Sequence, residues 1–271
     1  MNFEVMGNRF LEYLYRLGLY PLAALLVGVF VLIAAAGVLI AHRLLPRYAF
    51  RESSADFGQL VSGPIGNVFA LVFALVTIAI WQNYDRVGAQ VSEEAAAIHN
   101  IYRNLDSYPA QVRDPARSQL KTYVRRVIAD EWPHLVSIDE GDEDEEAHRL
   151  ITDLNTSLEA YRPQAQGEVP LHQVLLTEVG RARVLRHGRL EAGRPYMDAG
   201  MWLCLDLGAL IMLAFCCFWH LSDRREHLLM ASALGACLAL VFFLMLIYNH
   251  PFAGPAAISP APFQSLLDHW H

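Results

Sequence analysis

Gly63, Asn67, Ala70, Ala74, Thr77, Trp81 and Asp85 recur at steps of three or four through "SGPIGNVFALVFALVTIAIWQNYD". At 100° per residue they share one helical face, with Gly66 at its edge, while Val68, Leu71, Val72, Leu75 and Val76 share the other. The first face is small and polar, and in an apolar setting that combination has two chemical uses. Small residues let helices approach closely while Asn or Thr side chains hydrogen-bond across the seam. The same face can instead line an ion path, with Asn67 and Thr77 offering donors or acceptors to a partly dehydrated ion. On that second reading Gly63, Asn67, Ala70, Ala74, Thr77 and Trp81 are the pore-lining candidates. Phe69 and Phe73, at the edge of the face, are the constriction candidates, where a narrow apolar ring gates by dewetting.

Asp206 is the only formal charge within the four apolar runs, and an intramembrane charge costs roughly 2.5–3.5 kcal/mol on insertion scales. It is either a functional carboxylate or a residue that reaches interfacial water, four positions after Trp202. Facing a pore, a ring of such carboxylates would favour cations. The acidic run "DEGDEDEE", Asp139 to Glu146, lacks the alternating ligand spacing of a calcium loop and reads as a solvated loop. His42, His220, His227, His250 and His269 are scattered without metal-ligand spacing, so no metal and no cofactor is expected. No phosphate-cradling glycine loop, HExxH or nucleophile elbow occurs, and the expectation is a protein that is not an enzyme. A net charge of −7 gives no footing for nucleic acid.

The elements that carry these residues follow from composition. With 54% hydrophobic and 18% charged residues, the chain is too apolar for an ordinary soluble domain. Leu22 to Ala41, Leu60 to Trp81, Ala199 to Trp219 and Leu228 to Ile247 each approach the ~20 residues a helix needs to cross a bilayer. The fold class expected is therefore all-α, a multi-pass protein with four transmembrane helices. The first run is too long for a secretory leader, and "AHRLLPR" follows it where a cleavage site would stand, so it reads as a retained span.

Residues 82–198 hold most of the charged side chains and show apolar residues at helical spacing: Val87, Val91, Ala95, Ile98, Tyr102 and Leu105, then Leu120, Tyr123, Val124 and Val127. Leu150, Leu154, Leu158 and Tyr161 follow, then Leu171, Val174 and Leu175. "SYPAQVRDPA", "WPHLVSIDEGDEDEE" and "YRPQAQGEVP" supply the breaks, and Trp132-Pro133-His134 reads as a helix end. Nothing breaks the chain between the second span and this domain, so one long helix should run from lipid into water. The expected divisions are 1–81 with spans one and two, 82–198 as a helical extramembrane domain, 199–249 with spans three and four, and 250–271 as a Pro-rich clasp ending in a short amphipathic helix. In that clasp Phe263, Leu266, Leu267 and Trp270 form an apolar edge suited either to the membrane interface or to a groove against "YRNL" and "EWPHL". The four cysteines, Cys204, Cys216, Cys217 and Cys237, all fall in spans, which excludes a disulfide framework for the extramembrane part.

An even number of spans puts both termini and the helical domain on one side. Arg43, Arg47 and Arg51 in the first short loop, with Arg224 and Arg225 in the last, place those loops in the cytoplasm of a cell membrane, leaving the domain external or periplasmic. Arg9 and Arg16, and the arginines from Arg181 to Arg194, pull the other way; short loops count more in the rule.

"FGQLVSGPIGNVFALVFALVTIAIWQNYDRVGAQVSEEAAAIHNIYR", "YVRRVIADEWPHL" and "NHPFAGPAAISPAPF" together resemble, in order, the motifs of the bestrophin-like domain family of membrane proteins. The resemblance implies a four-span helical protein remotely similar to bestrophin anion channels. A single four-span subunit encloses no obvious pore, so conduction would require a homo-oligomer about an axis. Expected partners are then the lipid bilayer, further copies of the chain and small inorganic ions. The alternative is a non-conducting scaffold or sensor that binds a partner through the helical domain.

Overall fold

The computed structural model describes residues 13–15, 17–44, 52–136, 145–163, 165–218 and 223–270. Arg47, Arg51 and most of the acidic run lie outside these residues, as do Arg9 and Arg16. Among the described residues the fold is all-helical, and four helices are long and apolar enough to cross a membrane. Helices are what lipid requires, because every backbone polar group in the hydrocarbon must find its partner within the segment.

The helices are α1 (Leu19–Leu44), α2 (Glu52–Asn104), α3 (Ala110–Arg126), α4 (Trp132–Val136), α5 (Glu145–Ala160), α6 (Glu168–Glu191), α7 (Ala199–Phe218), α8 (Arg224–Asn249) and α9 (Ala261–His269). The four apolar ones are α1, the first part of α2, α7 and α8. At 53 residues α2 is by far the longest, about 80 Å at ~1.5 Å per residue. Its single proline, Pro64, lies near its start, and no breaker interrupts it before Asn104.

Pro133 does not end a helix. A wider turn, Val127–Glu131, closed by the Trp132 N–H on the Val127 carbonyl, carries the chain into α4, which continues to Val136. That shift of register is compatible with a proline that has no N–H to give.

The chain divides into two compact units, with α2 contributing to both. The membrane unit is Tyr13–Asn83 with Pro195–Asn249. Its α8 presents Ala231, Gly235 and Ala239 at four-residue steps, all buried, in the small-residue pattern that lets helices approach in lipid. A Cβ on Gly235 would stand 2.9 Å from the Phe30 carbonyl oxygen and 3.2 Å from the Ala34 Cβ of α1. A second cluster joins Phe73 and Ile80 of α2 to Leu205 and Ala209 of α7 and to Phe242 of α8.

The extramembrane unit includes 84–194 and 250–270. Its core draws Val87, Val91, Ala95, Ile98 and Leu105 from α2, Leu120, Tyr123 and Val124 from α3, and Leu154 and Leu158 from α5. From α6 it takes Leu175 and Val179, and from the C-terminal segment Phe252, Phe263 and Trp270. Leu171 and Val174 depart from the expectation and are half exposed, at 51% and 52%. The inward phase of α6 runs instead through Leu175, Val179, Ala182, Arg186 and Arg189.

Replacing Gly235 by Val should overpack the α1–α8 seam and cost roughly 1–3 kcal/mol, seen as a lower melting temperature in mild detergent. The same change at Gly28, where a Cβ meets nothing within 4 Å, should leave the melting temperature unchanged.

Candidate functional site

Within the membrane unit α2 has three sides. Gly66, Phe69, Phe73, Val76 and Ile80 pack inward, while Gly63, Asn67, Ala70, Ala74 and Trp81 stay exposed, with Thr77 half-buried. The Thr77 hydroxyl donates to the Phe73 carbonyl at 2.7 Å. Val68, Leu71, Val72 and Leu75 form a separate exposed apolar side. The small face is thus not consumed by contacts inside the subunit.

The two constriction candidates are placed differently from the sequence expectation. The Phe69 ring occupies the slot above Gly208, where an added Cβ would come within 1.7 Å of it. Phe73 is buried, its ring 5.6 Å from that of Phe242. The missing side chain at Gly208 and the aromatic partner at Phe242 draw both rings inward, away from the exposed stripe. Asp206 lies on the exposed side of α7 beside Leu203, Leu207 and Leu210. It has no hydrogen bond or ion pair among the described residues of its own subunit.

The extramembrane part of α2 is fixed by a buried charge cluster that the sequence reading did not single out. Arg189 of α6 donates from Nε to Glu94 Oε2 at 2.8 Å and from Nη2 to Glu131 Oε2 at 2.7 Å. Arg186 donates from Nε to Glu131 Oε1 at 2.9 Å, and the Tyr123 hydroxyl to Glu94 Oε1 at 3.2 Å. Two guanidinium and two carboxylate groups balance, and all four side chains are buried. Burial works against the charge on Arg189, but the Glu94 and Glu131 carboxylates outweigh it and hold the guanidinium above its ordinary value. Burial likewise drives the Tyr123 phenol well above its own. The signal in the sequence was Arg186 and Arg189 on the inward phase of α6, opposite Glu94 on the inward phase of α2.

The C-terminal segment covers this cluster. Trp132 and Phe263 each present a ring 5.6 Å from the Arg189 guanidinium carbon, and one guanidinium nitrogen, Nη1, has no hydrogen-bond partner. Phe252 and Phe263 meet Trp132 edge-on at 5.4 and 5.9 Å. Trp270 stacks on Tyr102 at 4.2 Å, and Arg117 lies over Tyr102 at 4.3 Å. The backbone path between is set by Ile258 N–H on the Pro251 carbonyl at 2.9 Å, by Gly254 at φ 88°, and by the Tyr84 hydroxyl on the Ala256 carbonyl at 2.7 Å. In the membrane unit Asn249 closes α8 by accepting the Met197 N–H on its side chain at 2.8 Å and the Tyr196 N–H on its carbonyl at 3.0 Å. Burial pushes the next residue, His250, down to about 4.

The chain belongs to the Bestrophin-like domain family, whose model matches residues 28–263. No curated protein matches it. A crystal structure of a membrane protein superposes with a TM-score of 0.64 at 11% identity, covering 89% of this chain and 97% of that one. A crystal structure of a bacterial bestrophin homolog from Klebsiella pneumoniae carrying a mutation gives 0.62 at 10% identity, covering 89% and 98%. At these identities the likeness shows a shared fold, and it extends over nearly the whole of each chain.

Arg189→Met leaves the Glu94 carboxylate without its guanidinium and should destabilise the extramembrane unit by about 3–5 kcal/mol. The charge-balanced pair Glu94→Leu with Arg189→Met should recover part of that loss, read as melting temperature by circular dichroism. His250 binds a proton more readily unfolded than folded, so its contribution is complete above about pH 6.5. It should decline as pH falls toward about 4. Thermal melts of His250→Gln should lose that part of the acid sensitivity.

Proposed function

We propose that the protein is an oligomeric ion channel of the cell membrane whose path is lined by the small, polar face of α2. The observation that supports this reading is the exposure of Asn67, Ala70, Ala74 and Trp81 in a subunit that already packs an adjacent side of the helix through Phe73 and Ile80. Small side chains flanked by an amide suit a narrow, hydrated lumen better than they suit lipid. Membership of the Bestrophin-like family agrees with it. From Gly63 to Trp81 the stripe holds no carboxylate, and the Asn67 amide is a donor, which favours an anion as the permeant ion. The arginines of the two short loops favour an external, periplasmic extramembrane unit.

Purified protein in liposomes should pass chloride, with a reversal potential near that of chloride under a salt gradient. Ala74→Leu and Thr77→Leu should reduce the current several-fold while the oligomer still forms, because the added volume enters the lumen. Lost assembly with those variants, or no ion flux in the parent protein, would favour the scaffold reading instead.

A further inference from the structure

We propose that the adjoining ends of α1 and α8 bind the phosphate of an anionic phospholipid through Arg43, Arg224 and Arg225. The site lies within the membrane unit and stands whether or not the chain conducts.

Two contacts fix the register of the helix pair. A Cβ on Gly235 would lie 3.2 Å from the Ala34 Cβ, and eight residues further along each helix His42 Nε2 stands 3.1 Å from His227 Nδ1. The helices are therefore antiparallel, with the end of α1 level with the start of α8. Arg43 is the last residue of one span and Arg224 the first of another. In this register they differ in height by about two residues, roughly 3 Å at ~1.5 Å per residue. Arg224, three residues before His227, shares its side of α8. The His227 Nε2 donates to the Cys216 carbonyl of α7 at 2.9 Å, so the platform beneath the arginines is tied to a third helix.

Charge at this end is uncompensated. All three arginines are exposed, and none has an ion pair among the described residues. Of the two carboxylates in the first turn of α8, Asp223 is engaged in capping, where it accepts the Arg225 N–H at 2.9 Å. Glu226 stands two residues from Arg224, about 200° around the helix, and so on its far side.

The surface leading to the arginines is apolar and exposed. Leu39 and Ile40 precede Arg43 by a turn, and Leu229, 74% exposed, follows Arg225 by a turn. In a bilayer such rows lie against acyl chains, and a guanidinium at the end of each reaches headgroup height, where it pairs with a phosphate through parallel N–H bonds. Basic sites between membrane helices take anionic headgroups by this chemistry. Phosphatidylcholine also has a phosphate but brings a cation with it, so uncompensated guanidiniums favour a headgroup of net negative charge. The apolar rows beneath favour a lipid over a free phosphate.

The test uses the full-length protein in a mild uncharged detergent. Added phosphatidylglycerol should raise the melting temperature to a plateau, and phosphatidylcholine should not. Arg43→Gln with Arg224→Gln should raise the phosphatidylglycerol concentration needed at least ten-fold while leaving the lipid-free melting temperature unchanged. Arg43→Lys with Arg224→Lys, which keeps the charge, should retain part of the response. Arg183→Gln, an exposed arginine of the extramembrane unit, should retain all of it. Should the Gln pair fail to fold, Arg43→Gln alone decides, read as phosphatidylglycerol retained in native mass spectrometry. An equal response to phosphatidylcholine, or an undiminished one in the Gln variants, would overturn the site. The same shift from inorganic phosphate alone would overturn the lipid as its ligand.

Discussion

The guanidinium of Arg189 cannot sit in the core of the helical domain without matched charge, and that requirement organises the extramembrane unit. An isolated buried charge costs several kcal/mol, so Glu94 from α2 and Glu131 from the turn before α4 must reach it together. The widened turn at Val127–Glu131 shares its register with the carboxylate that makes the second contact. The guanidinium carbon lies 5.6 Å from the centres of two aromatic rings, one of them delivered by the C-terminal helix. Three segments distant in sequence are thereby held to a single position along α2, and the Pro-rich path of the C-terminal segment has its physical purpose in bringing Phe263 there.

Alpha2 is one uninterrupted helix whose first part belongs to the membrane unit. Its three sides answer to three environments. Phe69, Phe73 and Ile80 fill the space left by Gly208 and Ala209 of α7 and by Phe242 of α8. Val68, Leu71, Val72 and Leu75 are as apolar as lipid demands. The remaining side, small and polar, is left exposed by the packing of its own subunit, and in the proposed channel it meets water. Asp206 poses the same question on α7, as an exposed carboxylate among leucines that requires hydration or another subunit.

Much of this was legible in the sequence. Four charge-poor runs of bilayer length determined the spans, since lipid accepts only backbones that satisfy themselves. The absence of a breaker after Trp81 determined that the second span continues as a helix to Asn104. The periodic residues from Val87 to Leu105, and again from Leu120 to Val127, determined the core faces of α2 and α3. Phe263 and Trp270 were legible as an apolar edge whose rings meet Trp132 and Tyr102.

Other features depended on which neighbours arrive, and periodicity carries no record of that. A helical wheel cannot tell that Phe69 turns inward, because the reason is a missing side chain 139 positions later, at Gly208. Nor does it give the phase of α6, where Leu171 and Val174 look like core and two arginines occupy the core instead. Charged residues are read from sequence as surface, and only a fold that gathers Glu94, Glu131, Arg186 and Arg189 into one balanced cluster makes their burial tolerable.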